Sequence, residues 1–148
     1  DDERFNPIVV VTGQHREMLD QVHEFFGIVP AGDEQTLVKR VIGVGGDRVS
    51  FSVETGRISV NGVPIEEPYI AQGQVPSTIP FDEVVPEGTL WVMGDNRGNS
   101  ADSRYHRQNG ESPFVPVGAV VGTVKAVILP LNRAHWGLSA PEVFSQVK

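Results

Sequence analysis

Short apolar runs rich in Val, Ile and aromatic residues, separated by Gly, Pro and Asn, make up most of the hydrophobic pattern of this chain. The runs alternate with a period of two or are continuously apolar, as in strands buried on one or both faces. The pattern predicts five strands, at residues 7–11, 37–42, 48–53, 89–93 and 117–129. Asn61-Gly62 lies between two apolar runs and predicts a type I′ hairpin turn inside a meander at residues 47–65.

One segment has helical spacing instead of strand spacing. Thr12 is placed to cap its start and Gly27 its end. Its apolar residues recur every three or four positions; they are Met18, Leu19, Val22, Phe25 and Phe26. We therefore predict one short amphipathic helix near the N-terminus, at about residues 14–26, whose apolar face packs on the core or docks on a surface.

Length and composition narrow the range of functions. At 148 residues we expect one domain, residues 1–148, with a small inserted hairpin or flap region at about residues 50–88. A net charge of -7 without a basic stripe argues against nucleic-acid binding. The lack of Cys, and of any metal-ligand spacing among the four His, argues against a metal site. We expect no cofactor.

The start of the chain and its longest apolar runs bear on targeting. Runs such as residues 8–11 are far shorter than the ~18–20 residues that span a bilayer, so we expect the chain as given to be soluble. It begins with Asp1-Asp2-Glu3-Arg4, without an initiator Met or a targeting pattern. We therefore expect a fragment of a longer protein.

Residues 94–104 concentrate the polar chemistry of the chain. Their sequence, GDNRGNSADSR, holds two Asp, two Arg, two Asn and two Ser, with Gly that permits tight turns. Opposite charges two residues apart, in Asp95 with Arg97 and in Asp102 with Arg104, suggest bidentate pairs. A solvated connection is the plainer alternative. A calcium loop fails because Arg97 occupies a ligand position and no Glu closes the loop.

The predicted strand at residues 37–42 carries two cations among apolar residues. A period of two places Lys39 on one face with Leu37 and Val41, and Arg40 on the other. Burial lowers the pKa of a lysine, and a change from ~10.4 to ~7.5 corresponds to about 4 kcal/mol. A neutral Lys39 can act as a general base toward a serine hydroxyl. The alternative is a lysine whose stem packs while its head reaches water.

Two further motifs give negative predictions. Residues 43–47, GVGGD, precede a predicted strand rather than a helix, so we predict a tight turn stabilised by Asp47 and no nucleotide loop. Glu66 and Glu67 are adjacent on an extended chain and point apart, so we predict a solvated edge rather than a catalytic carboxylate pair.

The box LVKRVIGVGGD at residues 37–47 and the box GDNRGNSADSR at residues 94–104 together resemble bacterial type I signal peptidase, a Ser-Lys dyad family. The hairpin between them fits too, so the resemblance covers about residues 37–129, and we expect it to extend over the whole chain. It implies a mainly β fold with antiparallel sheets. It also implies a serine endopeptidase that removes signal peptides from exported preproteins after small residues, anchored in the plasma membrane with its catalytic domain on the extracytoplasmic face.

The resemblance also implies roles for six residues, matched by position. Lys39 matches the general base, and Ser100 matches the hydroxyl that orients it. Two ion pairs that support the site match the remaining positions, Asp102 with Arg104 and Asp95 with Arg40.

The sequence departs from the family pattern at the nucleophile. The family has a Ser-Met-x-Pro box upstream of the lysine box, whereas no Ser here is followed by Met and the first is Ser50. We therefore expect the nucleophile, half the oxyanion hole and the membrane anchor to be missing, and the chain alone to be inactive. Two alternatives remain open: a noncatalytic β-rich binding module or pseudoenzyme, and a repressor-type Ser-Lys autoprotease.

Overall fold

The computed structural model describes residues 8–13, 35–124, 126–127, 135–136 and 140–148, with side chains described for 37–124 and 140–148. The strands are β1 Ile8–Gly13, β2 Gln35–Val44, β3 Arg48–Ser52, β4 Arg57–Val60, β5 Val63–Pro64, β6 Phe81–Val84, β7 Thr89–Met93, β8 Val115–Pro116, β9 Val120–Val124, β10 Ala126–Val127 and β11 His135–Trp136. One α-helix, α1 Ser103–Gln108, and two 3-10 turns, Val117–Ala119 and Pro141–Phe144, complete the described elements.

The described strands form three sheets. Their orders are β8-β7-β2-β1-β9, β5-β4-β3-β6 and β10-β11. All of the strand pairings in these sheets are antiparallel. The mainly β, antiparallel fold that the resemblance implies is confirmed.

Strands β2 and β7 are central in the largest sheet and bury both of their faces. On one face, Ile42 and Trp91 join the larger core, which the four-stranded sheet and the C-terminal turn complete. On the other face, Val41 and Val92 form a smaller cluster. The alternation predicted for residues 37–42 is therefore present, and it fixes the opposite directions of Lys39 and Arg40.

The predicted turns lie where the sequence indicates. Asn61 has φ 52° and Gly62 φ 80°, the positive values that a type I′ turn requires at both central positions. The carboxylate of Asp47 accepts hydrogen bonds from the Val44 backbone N–H and from Asn61 Nδ2. These contacts confirm the Asp-stabilised bend and tie it to the hairpin.

Other elements differ from the predictions or lie outside the described residues. The predicted helix at residues 14–26 lies outside them. Helix α1 was not predicted, because its six residues are too few for an apolar period. It begins at a cap, Asp102, whose carboxylate accepts from the Arg104 backbone N–H at 3.1 Å. The predicted flap contains strand β6, and the strand predicted from residue 117 begins instead with a 3-10 turn.

Candidate active site

Strand β2 carries Lys39 into the interior beside the polar loop, residues 94–104. The Lys39 residue is 9% exposed. Its Nζ donates a hydrogen bond to Ser100 Oγ at 2.8 Å. The structure thus brings together the two residues predicted to form the reactive centre, although they are 61 positions apart in the sequence.

The surroundings of Lys39 favour a neutral amine. Burial, which removes water from the ammonium, lowers the pKa of Lys39 below its ordinary value. The negative charge of Asp102 opposes this effect, and the positive charge of Arg104 adds to it. Because desolvation is the largest cause, the lysine gives up its proton more readily than a solvated one.

Gly94, directly after β7, lets Ser100 approach Lys39. A Cβ on Gly94 would lie 2.3 Å from Ser100 Oγ and 2.7 Å from Ser100 Cβ, closer than real contacts allow. The same Cβ would lie 3.8 Å from Lys39 Nζ. Any side chain at this position must therefore displace Ser100. The sequence showed Gly94 only as a turn residue, since this clash depends on a contact six residues further along.

Asp102 is the most thoroughly bonded carboxylate of the site. Its Oδ1 accepts from Arg104 N and Nε, and its Oδ2 accepts from Arg104 Nη2 at 2.7 Å and from Gly94 N at 3.1 Å. The Asp102 side chain is 0% exposed and that of Arg104 is 5% exposed. Such a pair is stable only when fully hydrogen-bonded, so it rigidly joins the start of α1 to Gly94.

Arg40 and Asp95 form a second bidentate pair. Arg40 Nε and Nη2 donate to the two oxygens of Asp95 at 2.7 and 2.8 Å. The Arg40 side chain is 3% exposed, and its guanidinium lies 3.8 Å above the centre of the Tyr69 ring. The pairing of Asp95 with Arg97, expected from their spacing in the loop, is wrong. The same spacing does give a pair in Asp102 with Arg104, so spacing alone does not decide the partner.

Arg97 pairs instead with Glu67, which corrects a second prediction. Arg97 Nη2 and Nη1 donate to Glu67 Oε1 and Oε2 at 2.5 and 2.9 Å. The side chains of Arg97 and Glu67 are 1% and 2% exposed. The solvated edge predicted for both glutamates holds for Glu66, whose side chain is 77% exposed, but is wrong for Glu67. Neighbouring side chains on the extended chain do point to opposite sides, as predicted from the sequence. Because Glu66 points to solvent, Glu67 points into the interior.

The Glu67 pair also controls the charge of Arg97. Burial on its own would lower the pKa of the guanidinium, but the hydrogen bonds and charge of Glu67, with smaller effects of Tyr69 and Asp102, raise it above its usual value. Arg97 therefore stays charged in the interior. Sequence reasoning missed Glu67 because its partner lies 30 residues further along the chain.

A cavity of about 210 Å³ opens beside Ser100. Its lining includes the polar side chains of Ser77, Arg97 and Arg104 as well as Val75, Ile79 and Tyr105. Ser100 thus has the buried amine of Lys39 on one side and a cavity large enough for several water molecules on another.

Two searches of the described residues bear on other chemistry. They contain no group of three or more His, Asp or Glu side chains that could hold a metal ion. They also contain no helix that is both long and apolar enough to cross a membrane.

Comparison with known proteins identifies the family. The family model for signal peptidase, peptidase S26, matches residues 3–129, which include every residue of the site described above. The chain belongs to the peptidase S26 signal peptidase family. The match starts well before the lysine box, in agreement with the expectation that the resemblance extends beyond the two boxes toward the N-terminus.

Relatives of known identity agree with this assignment. The chain is 41% identical over 134 residues to a probable signal peptidase I of Mycobacterium leprae, covering 76% of this chain and 45% of that protein. It is 43% identical over 128 residues to signal peptidase I of Mycobacterium tuberculosis, with 77% and 42% covered. Signal peptidase I S of Bacillus subtilis is 37% identical over 115 residues, with 72% and 59% covered. The chain thus spans about half the length of these relatives.

A solved structure supports the fold of the family. The crystal structure of a signal peptidase I from Enterococcus faecalis matches with a TM-score of 0.51 and 22% identity. The match covers 80% of this chain and 94% of that one. At this identity the likeness concerns the fold, and it agrees with the antiparallel sheets described above.

Proposed function

We propose that this chain is the lysine-bearing part of a type I signal peptidase, a serine endopeptidase that cleaves signal peptides from exported preproteins after small residues. Membership of the signal peptidase family supports this activity. The observation that carries the proposal is the contact between the buried Lys39 Nζ and Ser100 Oγ at 2.8 Å. Solvated lysines have neither this burial nor a lowered pKa.

In this proposal Lys39 is the general base of a Ser-Lys dyad. Its neutral amine takes the proton of a serine hydroxyl while the serine oxygen attacks the carbonyl carbon of the peptide bond. Lys39 then passes that proton to the departing amine. Ser100 holds the amine in the direction required, and the pairs Asp102 with Arg104 and Asp95 with Arg40 keep the polar loop in place.

The attacking serine, in this proposal, lies outside these 148 residues. None of the serines in the sequence is followed by Met, and the hydroxyl that contacts Lys39 among the described residues sits in the box of the orienting serine. In the same proposal the full-length protein is anchored in the plasma membrane, with the site on the extracytoplasmic face. The partners are then preprotein signal peptides and the lipid surface that presents them.

A cleavage assay tests the proposal directly. The substrate is a precursor peptide with an Ala-x-Ala sequence before the cleavage site, and mass spectrometry locates the cut. The 148-residue chain should leave it intact. A version extended upstream of Asp1 with a segment containing a Ser-Met-x-Pro box should cut after the second Ala, and its Lys39→Met variant should not. An extended protein that binds the peptide without cutting it would favour the noncatalytic alternative.

Ser100 needs its own test, because a serine 2.8 Å from a lysine is also the arrangement expected of a nucleophile. In the extended protein, Ser100→Ala should lower turnover about 10–100-fold, as loss of an orienting contact does, without abolishing it. Trapping the acyl-enzyme and mapping it by mass spectrometry should place no adduct on Ser100. An adduct there would make Ser100 the attacking residue and the 148 residues a complete dyad.

A further inference from the structure

Three ion pairs with buried arginines hold the polar loop, and one of them takes its carboxylate from outside both sequence boxes. Glu67 belongs to the segment between β5 and β6, which joins two strands of the four-stranded sheet. Its side chain and that of Arg97 are almost completely buried and joined by two hydrogen bonds. A buried pair of this kind costs desolvation on both sides, so its place in the structure needs a reason beyond stability.

The contacts of Arg97 supply that reason. Its Nε donates to the carbonyl oxygen of Gly94 at 2.9 Å, and its Nη1 donates to the carbonyl oxygen of Pro76 at 3.0 Å. Gly94 is the residue against which Ser100 packs without room for a Cβ. The guanidinium therefore fixes the peptide that sets how closely Ser100 approaches Lys39.

We propose that Glu67 is a positioning residue that, through Arg97, fixes the Gly94 peptide and thereby keeps Ser100 in contact with Lys39. This deepens the proposed function, on which it rests for the role of Lys39. Glu67 touches neither Lys39 nor Ser100 in this arrangement. It acts on them through one side chain and one peptide group.

Neighbouring contacts hold the same segment against the loop. Tyr69 donates from its hydroxyl to Glu67 Oε1 at 3.0 Å, while its ring covers the guanidinium of Arg40. Gln74 bonds the loop at two points, donating to Asn96 Oδ1 and accepting from the Gly98 backbone N–H. Residues 67–74 thus form a strap over the polar loop, and Glu67, with its buried side chain, is the only charged residue in it.

The direction in which the pKa of Lys39 changes when Glu67 is neutralised distinguishes a positioning role of Glu67 from a purely electrostatic one. Lys39 senses Asp102 and Arg104 most strongly among nearby charges. If Glu67 is neutralised and the loop stays closed, the unpaired charge of Arg97 can only lower the pKa of Lys39 further. If the loop loosens, water reaches the amine and the pKa rises. A positioning role of Glu67 therefore predicts that the pKa of Lys39 rises when Glu67 is neutralised.

The experiment is a side-chain NMR titration of Lys39 in the 148-residue chain, which needs no enzymatic activity. Lys39 is one of three lysines in the sequence, with Lys125 and Lys148, so its signal is assigned by its loss in Lys39→Met. Glu67→Gln should raise the pKa of Lys39 by about one pH unit or more, toward the ordinary value of ~10.4. Glu66→Gln, which removes the same charge one residue earlier but from an exposed side chain, should leave it unchanged.

Arg97→Lys keeps both charges but loses the planar fork that bonds Glu67 and Gly94 together, so it should also raise the pKa of Lys39. This variant decides the matter if Glu67→Gln does not fold, as judged from the amide spectrum. A pKa of Lys39 that stays the same or falls in the folded variants would overturn the positioning role while leaving the base intact. An ordinary pKa in the parent chain would overturn the base, and the positioning role with it.

Discussion

Two arginine–aspartate pairs with nearly the same geometry show what distinguishes the site from the rest of the molecule. Arg48 and Asp82 join β3 to β6 through two hydrogen bonds of 2.7 and 2.5 Å, with side chains 64% and 51% exposed. Arg104 and Asp102 form the same fork at 2.9 and 2.7 Å with almost no exposure. Bond lengths alone do not separate the two pairs; burial does.

Burial changes what a pair can do to its neighbours. In water the attraction of the exposed pair is screened, and its loss leaves two solvated groups. In the interior, Asp102 has no water to replace Arg104 or Gly94, so it fixes the backbone around it. The four-stranded sheet therefore carries its ion pair on the surface. In the polar loop, buried ion pairs fix the backbone that keeps Lys39 out of water and Ser100 in place.

The largest expected effect is that of Asp102→Ala. It leaves the buried Arg104 unpaired and frees the Gly94 N–H, so the free energy of unfolding should fall by about 3–5 kcal/mol. Urea unfolding followed by circular dichroism measures it. An unchanged free energy of unfolding, together with lost cleavage in the extended protein, would mean that Asp102 acts in the chemistry and not as a support.

The next effect is that of Gly94→Ala. The new methyl group must push Ser100 away, and overpacking of this kind costs about 1–3 kcal/mol. Gly98→Ala is the matched control in the same loop, because a Cβ there would meet its nearest atom, Gln74 Nε2, at an ordinary 3.6 Å. Equal stability losses in the two variants would show that the approach of Ser100 to Gly94 is not tight.

The third prediction compares how the stability of the parent chain and of Lys39→Met depends on pH. Because burial lowers the pKa of Lys39 in the folded chain, the unfolded chain binds more protons between that pKa and the unfolded value of ~10.4. This group therefore lowers stability at pH values below the folded pKa, and the penalty disappears as pH rises through that window. Between the folded and the unfolded pKa, the free energy of unfolding of the parent should therefore increase with pH relative to that of Lys39→Met. The increase should be at most about 1.4 kcal/mol per pH unit.

The Met variant should itself be at least as stable as the parent at pH 7, because it keeps the apolar stem and removes the buried charge. Urea unfolding at pH values from 7 to 10 checks both statements. Parallel curves for the two proteins over this range would identify Lys39 as an ordinary solvated lysine.

The smallest effect should come from the exposed pair. Asp82→Ala should change the free energy of unfolding by only a small fraction of the Asp102→Ala value, and high salt should remove most of the difference. The hydrogen bond from Arg48 lowers the pKa of Asp82, so what the pair contributes is present at neutral pH and is lost in acid. If Asp82→Ala lowered the free energy of unfolding as much as Asp102→Ala, burial would not be what distinguishes the two ion pairs.

The sequence predicted the parts of this picture that depend on local pattern. Alternation in residues 37–42 placed Lys39 and Arg40 on opposite faces, and Asn61-Gly62 marked its turn. The two boxes predicted that Lys39 and Ser100 belong to one site, through a resemblance rather than from spacing. These features rest on neighbouring residues or on a motif already seen in a family.

The parts that sequence did not predict depend on distant contacts. The inward direction of Glu67 follows from the path of residues 66–76 over the loop, which no local period records. Helix α1 is short and held by the Asp102 carboxylate rather than by an apolar face. The spacing of Asp95 and Arg97 predicted the wrong partner for each, and the true pair of Asp95 with Arg40 was expected only through the family resemblance.

The most direct test of the account is the titration of the Lys39 amine in the unmodified 148-residue chain, followed by NMR of its side chain. The central claim is that the polar loop keeps this amine out of water, so that it can work as a base. The account predicts a pKa clearly below the ~10.4 of a solvated lysine. A Lys39 amine that titrates at that ordinary value would contradict it.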